Sequence, residues 1–448
     1  MIRKMTCGLC LVVMSSTAFA ETRNWIYQYN TIAGGPAAGT HYTINQGEET
    51  VYIKAGFASA SKRFKFEART EELQSGQWVD IGPGDIDVIM IDPSVSDPGS
   101  VIIEVNGDPS KSHVYGAADL RKISLPTGAT AYTHIWRIRI AGNLGADGMS
   151  DCDQIDLVEV GGDLLNRLDA LGSIGNSITI SGILGAAISG SSITGTITAA
   201  GAGTHTGSIT ARNGNLTAVN IGGRMNGNIS VAGSLTQGIA IAGPLGGQIL
   251  VAGSVADGRV IQVGEVLDGD PAPNIAVGSL GGTIRVASLV GDGSGYDPNI
   301  QVAGNVTATG EIVVDGDATY GWIIANGELD GNITIGGDLK LRYVRVGYPD
   351  GGTHNGNITI GGDLGGGTTE RLYANAWVCG TLNGEIRVLG SLYPTAGTAV
   401  CDRQGPLLPD DEARRVTGRS AFPARFGAGA DGFAKAFRAL REQLIYGA

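Results

Sequence analysis

Four carboxylates, Asp147, Asp151, Asp153 and Asp156, fall within ten residues of one another, and a group of hard carboxylate oxygens is what a Ca²⁺ ion coordinates. They are the candidate metal ligands of this chain. Their spacing lacks the Asp-x-Asp-x-Asp-Gly order of a dedicated calcium loop, so a solvated acidic loop is the competing reading. The pairs Asp268/Asp270, Asp292/Asp297 and Asp315/Asp317 sit beside glycines, where turn chemistry accounts for an aspartate without any metal. Glycoside hydrolysis needs two carboxylates facing each other across a groove; no such pair is singled out by spacing. His41, His113, His134, His205 and His354 form no pair at metal-ligand spacing, and the G-x-S-x-G elbow of a hydrolytic serine is absent. Beyond the first twenty residues the cysteines are Cys152, Cys379 and Cys401. In an oxidising compartment Cys379 and Cys401 are the candidate disulfide; three small buried thiols are the alternative. No Cys-x-x-Cys pair supports a metal cluster.

Any such group must be positioned by a repeated element. Ile138-Arg-Ile-Ala-Gly-Asn-Leu144 returns as Val158-Glu-Val-Gly-Gly-Asp-Leu164, Ile178-Thr-Ile-Ser-Gly-Ile-Leu184 and Ile229-Ser-Val-Ala-Gly-Ser-Leu235. Later copies include Ile333-Thr-Ile-Gly-Gly-Asp-Leu339, Ile358-Thr-Ile-Gly-Gly-Asp-Leu364 and Ile386-Arg-Val-Leu-Gly-Ser-Leu392. Side chains alternate along a strand, so the first and third residues share the buried face and the second points outward. The glycine is expected to supply a positive φ at a corner, and the final Leu or Val returns to the core. Asp163, Asp338 and Asp363 occupy one place in this template, where corner hydrogen bonding is the simple account.

Copies begin about ten residues apart, and a doubled spacing of about twenty recurs. That is too short for crossover helices, and the windows lack a 3.6 period. The fold class expected is therefore all-β: a parallel β-solenoid in which coils of two or three units stack at ~4.8 Å. The long segments from Asp268, Gly291, Tyr348 and Gly365 are expected to bulge as loops, where binding usually resides.

The expected organisation is a signal peptide over 1–20, an N-terminal β-rich domain or cap over 21–130, repeats over 131–400, a flexible linker over 401–430 and an amphipathic helix over 431–448. Arg3 and Lys4, an apolar run and Ala18-Phe19-Ala20 make the secretory pattern, which implies an exported protein of the extracellular space, cell surface or periplasm. No later stretch holds ~20 consecutive apolar residues, so no transmembrane helix is expected in the mature chain. In the last segment Phe433, Phe437, Leu440 and Leu444 line one helix face. The net charge of −12 disfavours nucleic acid and anionic lipid as partners. Glycine supplies 73 residues without a collagen triplet.

The repeats from about 136 to 392 resemble the parallel β-solenoids of the bacterial exterior. Two groups share that likeness. The pectin-lyase-like polysaccharide lyases and hydrolases imply an acidic, Ca²⁺-assisted site with a basic residue on one solenoid face. The adhesin and autotransporter passengers imply a stalk or binding surface. No functional residue is carried over from either. The function expected is an exported structural or adhesive surface protein whose solenoid presents binding loops to an extracellular glycan or surface protein; the alternative is a carbohydrate-active enzyme.

Overall fold

The computed structural model describes residues 22–30, 40–44, 50–53, 63–83, 86–91, 101–105, 120–124, 397–401, 416–417 and most of 134–391. Within 134–391 it leaves out 153, 166, 268–273, 292–298, 320, 341–342, 349–350 and 366–374. The signal segment, the C-terminal helix and most of the linker lie outside the described residues, as do Asp153, Asp268, Asp270, Asp292 and Asp297.

The chain is a parallel β-solenoid, with strands and no helix among the described residues. Register partners lie about twenty residues apart: Val158 pairs with Ile178, Ile178 with Ile197 and Val219 with Ile239. A coil therefore holds two template units. One forms face B, built by strands such as Ile178–Ile180, Leu216–Ile221 and Asn332–Ile335. The other forms face A, built by Leu168–Ala170, Ile188–Gly190, Ile209–Ala211 and their successors. Later coils lengthen by insertion, as Ile284 pairs with Ile312 and Ile358 with Ile386.

One coil shows how the sequence makes the core. Ile178, Ile180, Leu184, Ile188 and Ile193 are all fully buried, and each contributes roughly 1.5–3 kcal/mol of transfer free energy. A three-residue strand has no stability of its own, so these side chains hold only because their equivalents lie above and below. The corner residues stack singly: Leu144 on Leu164 on Leu184, and Val306 on Leu329.

The parallel ladder also runs back across residue 130. Phe64 pairs with Ile103 and Ile103 with Ile138, while Thr50 pairs with Val88 and Ile89 with Ile123. At this end Thr22–Asn30 lies antiparallel on Arg63–Gln74, whose hairpin to Gln77–Pro83 turns through Ser75 and Gly76 at φ 53° and 83°. An antiparallel strand laid on a parallel stack ends the repeat geometry and protects its edge.

The template glycines owe their place to something other than the expected positive φ. Gly162, Gly182, Gly337 and Gly362 are not among the residues with positive φ. Instead, a Cβ on Gly182 would lie 2.0 Å from Asp163 Oδ1, and one on Gly362 would lie 2.1 Å from Asp338 Oδ1. The same aspartates accept backbone N–H groups one coil on: Ile183 N–H to Asp163 at 2.7 Å, Asp338 N–H to Asp317 at 2.8 Å and Asp363 N–H to Asp338 at 2.7 Å. Glycine is required because the carboxylate that closes the corner passes over its Cα. The Gly-Asp-Leu motif is thus one device, a hydrogen-bonded step between coils.

Candidate functional site

A concavity on face B follows from what the template places outward there. The outward residues of five successive strands are Thr198, Asn220, Ala240, Gln262 and Arg285, in register. Beside them runs the corner that opens each glycine step, where Gly222 and Gly264 leave no room for a side chain. A Cβ there would come within 2.6 Å of Ala200 O and 2.8 Å of Gly243 O respectively. Small corners next to longer polar side chains make a trough of about 520 Å³ along the solenoid axis. Its five strands span ~19 Å at the usual strand separation.

One end of the trough is closed by an ion pair. Arg285 Nε reaches Asp315 Oδ1 at 3.1 Å and Oδ2 at 2.9 Å, and Nη2 reaches Oδ1 at 2.9 Å. Hydrogen bonding to Asp315, and then its charge, raises the guanidinium above its ordinary pKa. Among the described residues that line the trough Asp315 is the one carboxylate, and it is paired with Arg285. The chemistry offered is therefore hydroxyl, amide and guanidinium groups over a Gly/Ala floor.

The candidate calcium ligands are placed as follows. Asp147 and Asp151 lie in the strand Leu144–Cys152, and Asp156 lies in Gln154–Val160. Asp156 is buried and accepts a hydrogen bond from Gln154 Nε2 at 2.8 Å. Among the described residues no group of three or more His, Cys, Asp or Glu side chains is placed to hold a metal. Asp317, Asp338 and Asp363 form the column of corner acceptors, and Lys340 sits beside it at 2.7 Å from Asp338 and 3.8 Å from Asp317. The Lys340 hydrogen bond and the Asp363 N–H hold the Asp338 carboxyl below its usual range, and Asp338 in turn raises Lys340. Cys379 and Cys401 are Cα partners on adjacent face-A strands.

Three groups escaped the sequence reading. His205 and His354 are fully buried. Nδ1 of His205 accepts Leu184 N–H at 3.0 Å, while Nε2–H donates to Gly201 O at 2.8 Å. His354 repeats this with Leu329 N–H at 3.1 Å and Cys379 O at 2.8 Å. Each imidazole supplies an acceptor to a corner amide, and its other nitrogen leaves the neutral tautomer as the one that fits. The available signal was the shared run Thr-His-x-Gly-x-Ile-Thr at 204–210 and 353–359.

Asp169 is the second group. It is buried on face A, where Ser189 donates to it at 2.6 Å and Arg212 at 2.5 Å, with Arg167 close by. Burial raises this carboxyl, but the Ser189 and Arg212 hydrogen bonds, the Arg212 charge and the Arg167 hydrogen bond outweigh it, leaving Asp169 below its ordinary 3.8.

The third is an aromatic stack on face A. Tyr343 lies between Trp322 and Trp377 with ring centroids 5.2 and 5.4 Å away, and Arg345 lies over Tyr348 at 4.6 Å. Trp322 and Tyr343 immediately precede the register partners Ile323 and Val344, so their rings sit one strand apart, whereas Trp377 is the register partner of Arg345 and reaches Tyr343 diagonally.

No protein-family description, curated protein or solved structure matches this chain.

Proposed function

We propose that this protein is an exported scaffold of the cell surface or its surroundings, and that face B binds an extended extracellular glycan laid along the coil axis. The observation that carries the reading is the trough: polar groups at Thr198, Asn220, Gln262 and Arg285 recur at strand spacing above a Gly/Ala floor. Pyranose rings present flat apolar faces and equatorial hydroxyls, which suit small floor residues flanked by amides and hydroxyls. A ladder-held surface pays little ordering entropy when a ligand arrives. With the one carboxylate among its described lining residues held by Arg285, the trough favours binding over hydrolysis, since the latter needs two carboxylates. The pattern of residues 1–20 supports export.

A glycan array probed with the purified chain, with and without Ca²⁺, tests this reading. Binding to linear glycans that Ala240→Trp abolishes is the expected result, because that side chain would fill the trough centre. Unchanged binding by the variant, or released saccharide products, would overturn it.

A further inference from the structure

We propose that Cys379 and Cys401 form a disulfide that fastens the last described coils of face A together. The two residues are in-register partners in a parallel ladder that also pairs Asn375 with Gly397, Trp377 with Ala399 and Val378 with Val400. Adjacent strands lie ~4.8 Å apart, inside the Cα separation of 4.4–6.8 Å that disulfides span. In-register residues of parallel strands share a face. Ala376 and Val378 are buried, so the alternation places Cys379 on the outward side, half-buried. His354 Nε2–H holds the Cys379 carbonyl at 2.8 Å, which fixes the backbone that carries the thiol.

Cys152 is not the partner. It pairs with Ala170 on face A, and ten coil steps separate its strand from Asn375–Cys379, or ~48 Å along the axis.

The chemistry is thiol–disulfide exchange with a small-molecule disulfide. One cysteine thiolate attacks the oxidant, forming a mixed disulfide and releasing one thiolate. The second cysteine, losing its proton to solvent, attacks the protein sulfur of that mixed bond and releases the other thiolate. The two electrons lost by the protein thiols reduce the oxidant to two thiols. The proposal rests on the export reading only for the oxidant's source in the cell.

The test uses the full chain, reduced, then equilibrated with oxidised and reduced glutathione, alkylated and digested with trypsin. Cleavage at Arg371, Arg387 and Arg403 puts the two cysteines on separate peptides, so a linked pair is read directly by mass. The expected result is a 379–401 link with Cys152 alkylated. Alkylation of both residues as separate thiols, or a link to Cys152, overturns the proposal. The double variant Ala399→Cys/Cys401→Ser keeps two thiols nearby but moves one out of register, and its linkage is expected to slow about tenfold or more. Equal rates would show that register plays no part. The same mapping on chain acid-trapped from cells separates the two readings: linkage with glutathione but free thiols in the cell leaves the disulfide standing and counts against export.

Discussion

The two faces of the solenoid are built from the same template, yet their outward rows differ in chemistry and in exposure. On face B the row runs Thr198, Asn220, Ala240, Gln262, Arg285, and from Asn220 to Arg285 every member is exposed. On face A the corresponding row includes Leu250, Ala276, Gln301 and Ile324, which are 7%, 2%, 4% and 5% exposed. Three of those four are apolar, and their strands read as unbroken apolar runs: Ile249-Leu-Val251, Ile275-Ala-Val277 and Ile323-Ile-Ala325. A strand buried on both sides loses its alternation. The comparison teaches that face A is interior on both sides through its middle coils, and that face B is the one whose outward row stays exposed.

The largest expected effect sharpens that comparison. Ile324→Asp puts an unpaired charge into a covered position and should destabilise the fold by about 4 kcal/mol. Gln262→Asp on face B should change stability by no more than about 0.5 kcal/mol. Urea denaturation of the two variants reads this directly, and similar shifts would erase the distinction between the faces.

A smaller loss is expected at a corner common to both faces. His205→Ala strands the Leu184 N–H and leaves a cavity, costing about 2–3 kcal/mol. Hydrogen exchange should show the loss first around residues 184 and 201, its two partners. A uniform loss along the whole solenoid would mean that the imidazole is not a local strut.

The smallest effect concerns pH and the one carboxylate buried with two arginines on face A. Asp169 has its folded pKa depressed, so its contribution is present above the ordinary value of 3.8 and is lost as pH falls through that value towards the folded one. Exchange protection in Leu168–Ala170 and Ile209–Ala211 should fall over that range. Asp169→Asn should remove this pH dependence, and a variant that retains it would show that other carboxylates are responsible.

Much of this was legible in the chain because Ile-x-Ile-x-Gly-x-Leu fixes side-chain direction locally. The inward pairs Ile178/Ile180 and Ile358/Ile360 need nothing beyond strand alternation to be placed in the core. Coil length was not legible, since ten-residue units leave open whether two or three close a turn until Val158 is seen opposite Ile178. The reason for the glycines was misjudged for a related cause. The obstacle to a Cβ at Gly182 is Asp163, a residue of the coil beneath, and no local pattern displays it. The same holds for the trough, which exists only when Asn220, Ala240 and Gln262 are brought side by side. The ladder through Phe64, Ile103 and Ile138 was hidden because its partners are 39 and 35 residues apart, well beyond the spacing of ten to twenty that the later repeats display.

Spin labels along face B measure the stacking itself. Four coil steps separate Thr198 from Arg285, and seven separate Thr198 from Thr359. Pulsed electron resonance on those pairs should give separations near ~19 Å and ~34 Å, growing by one strand spacing per coil. Separations that fail to grow with the number of coils would contradict the parallel stack and, with it, the trough.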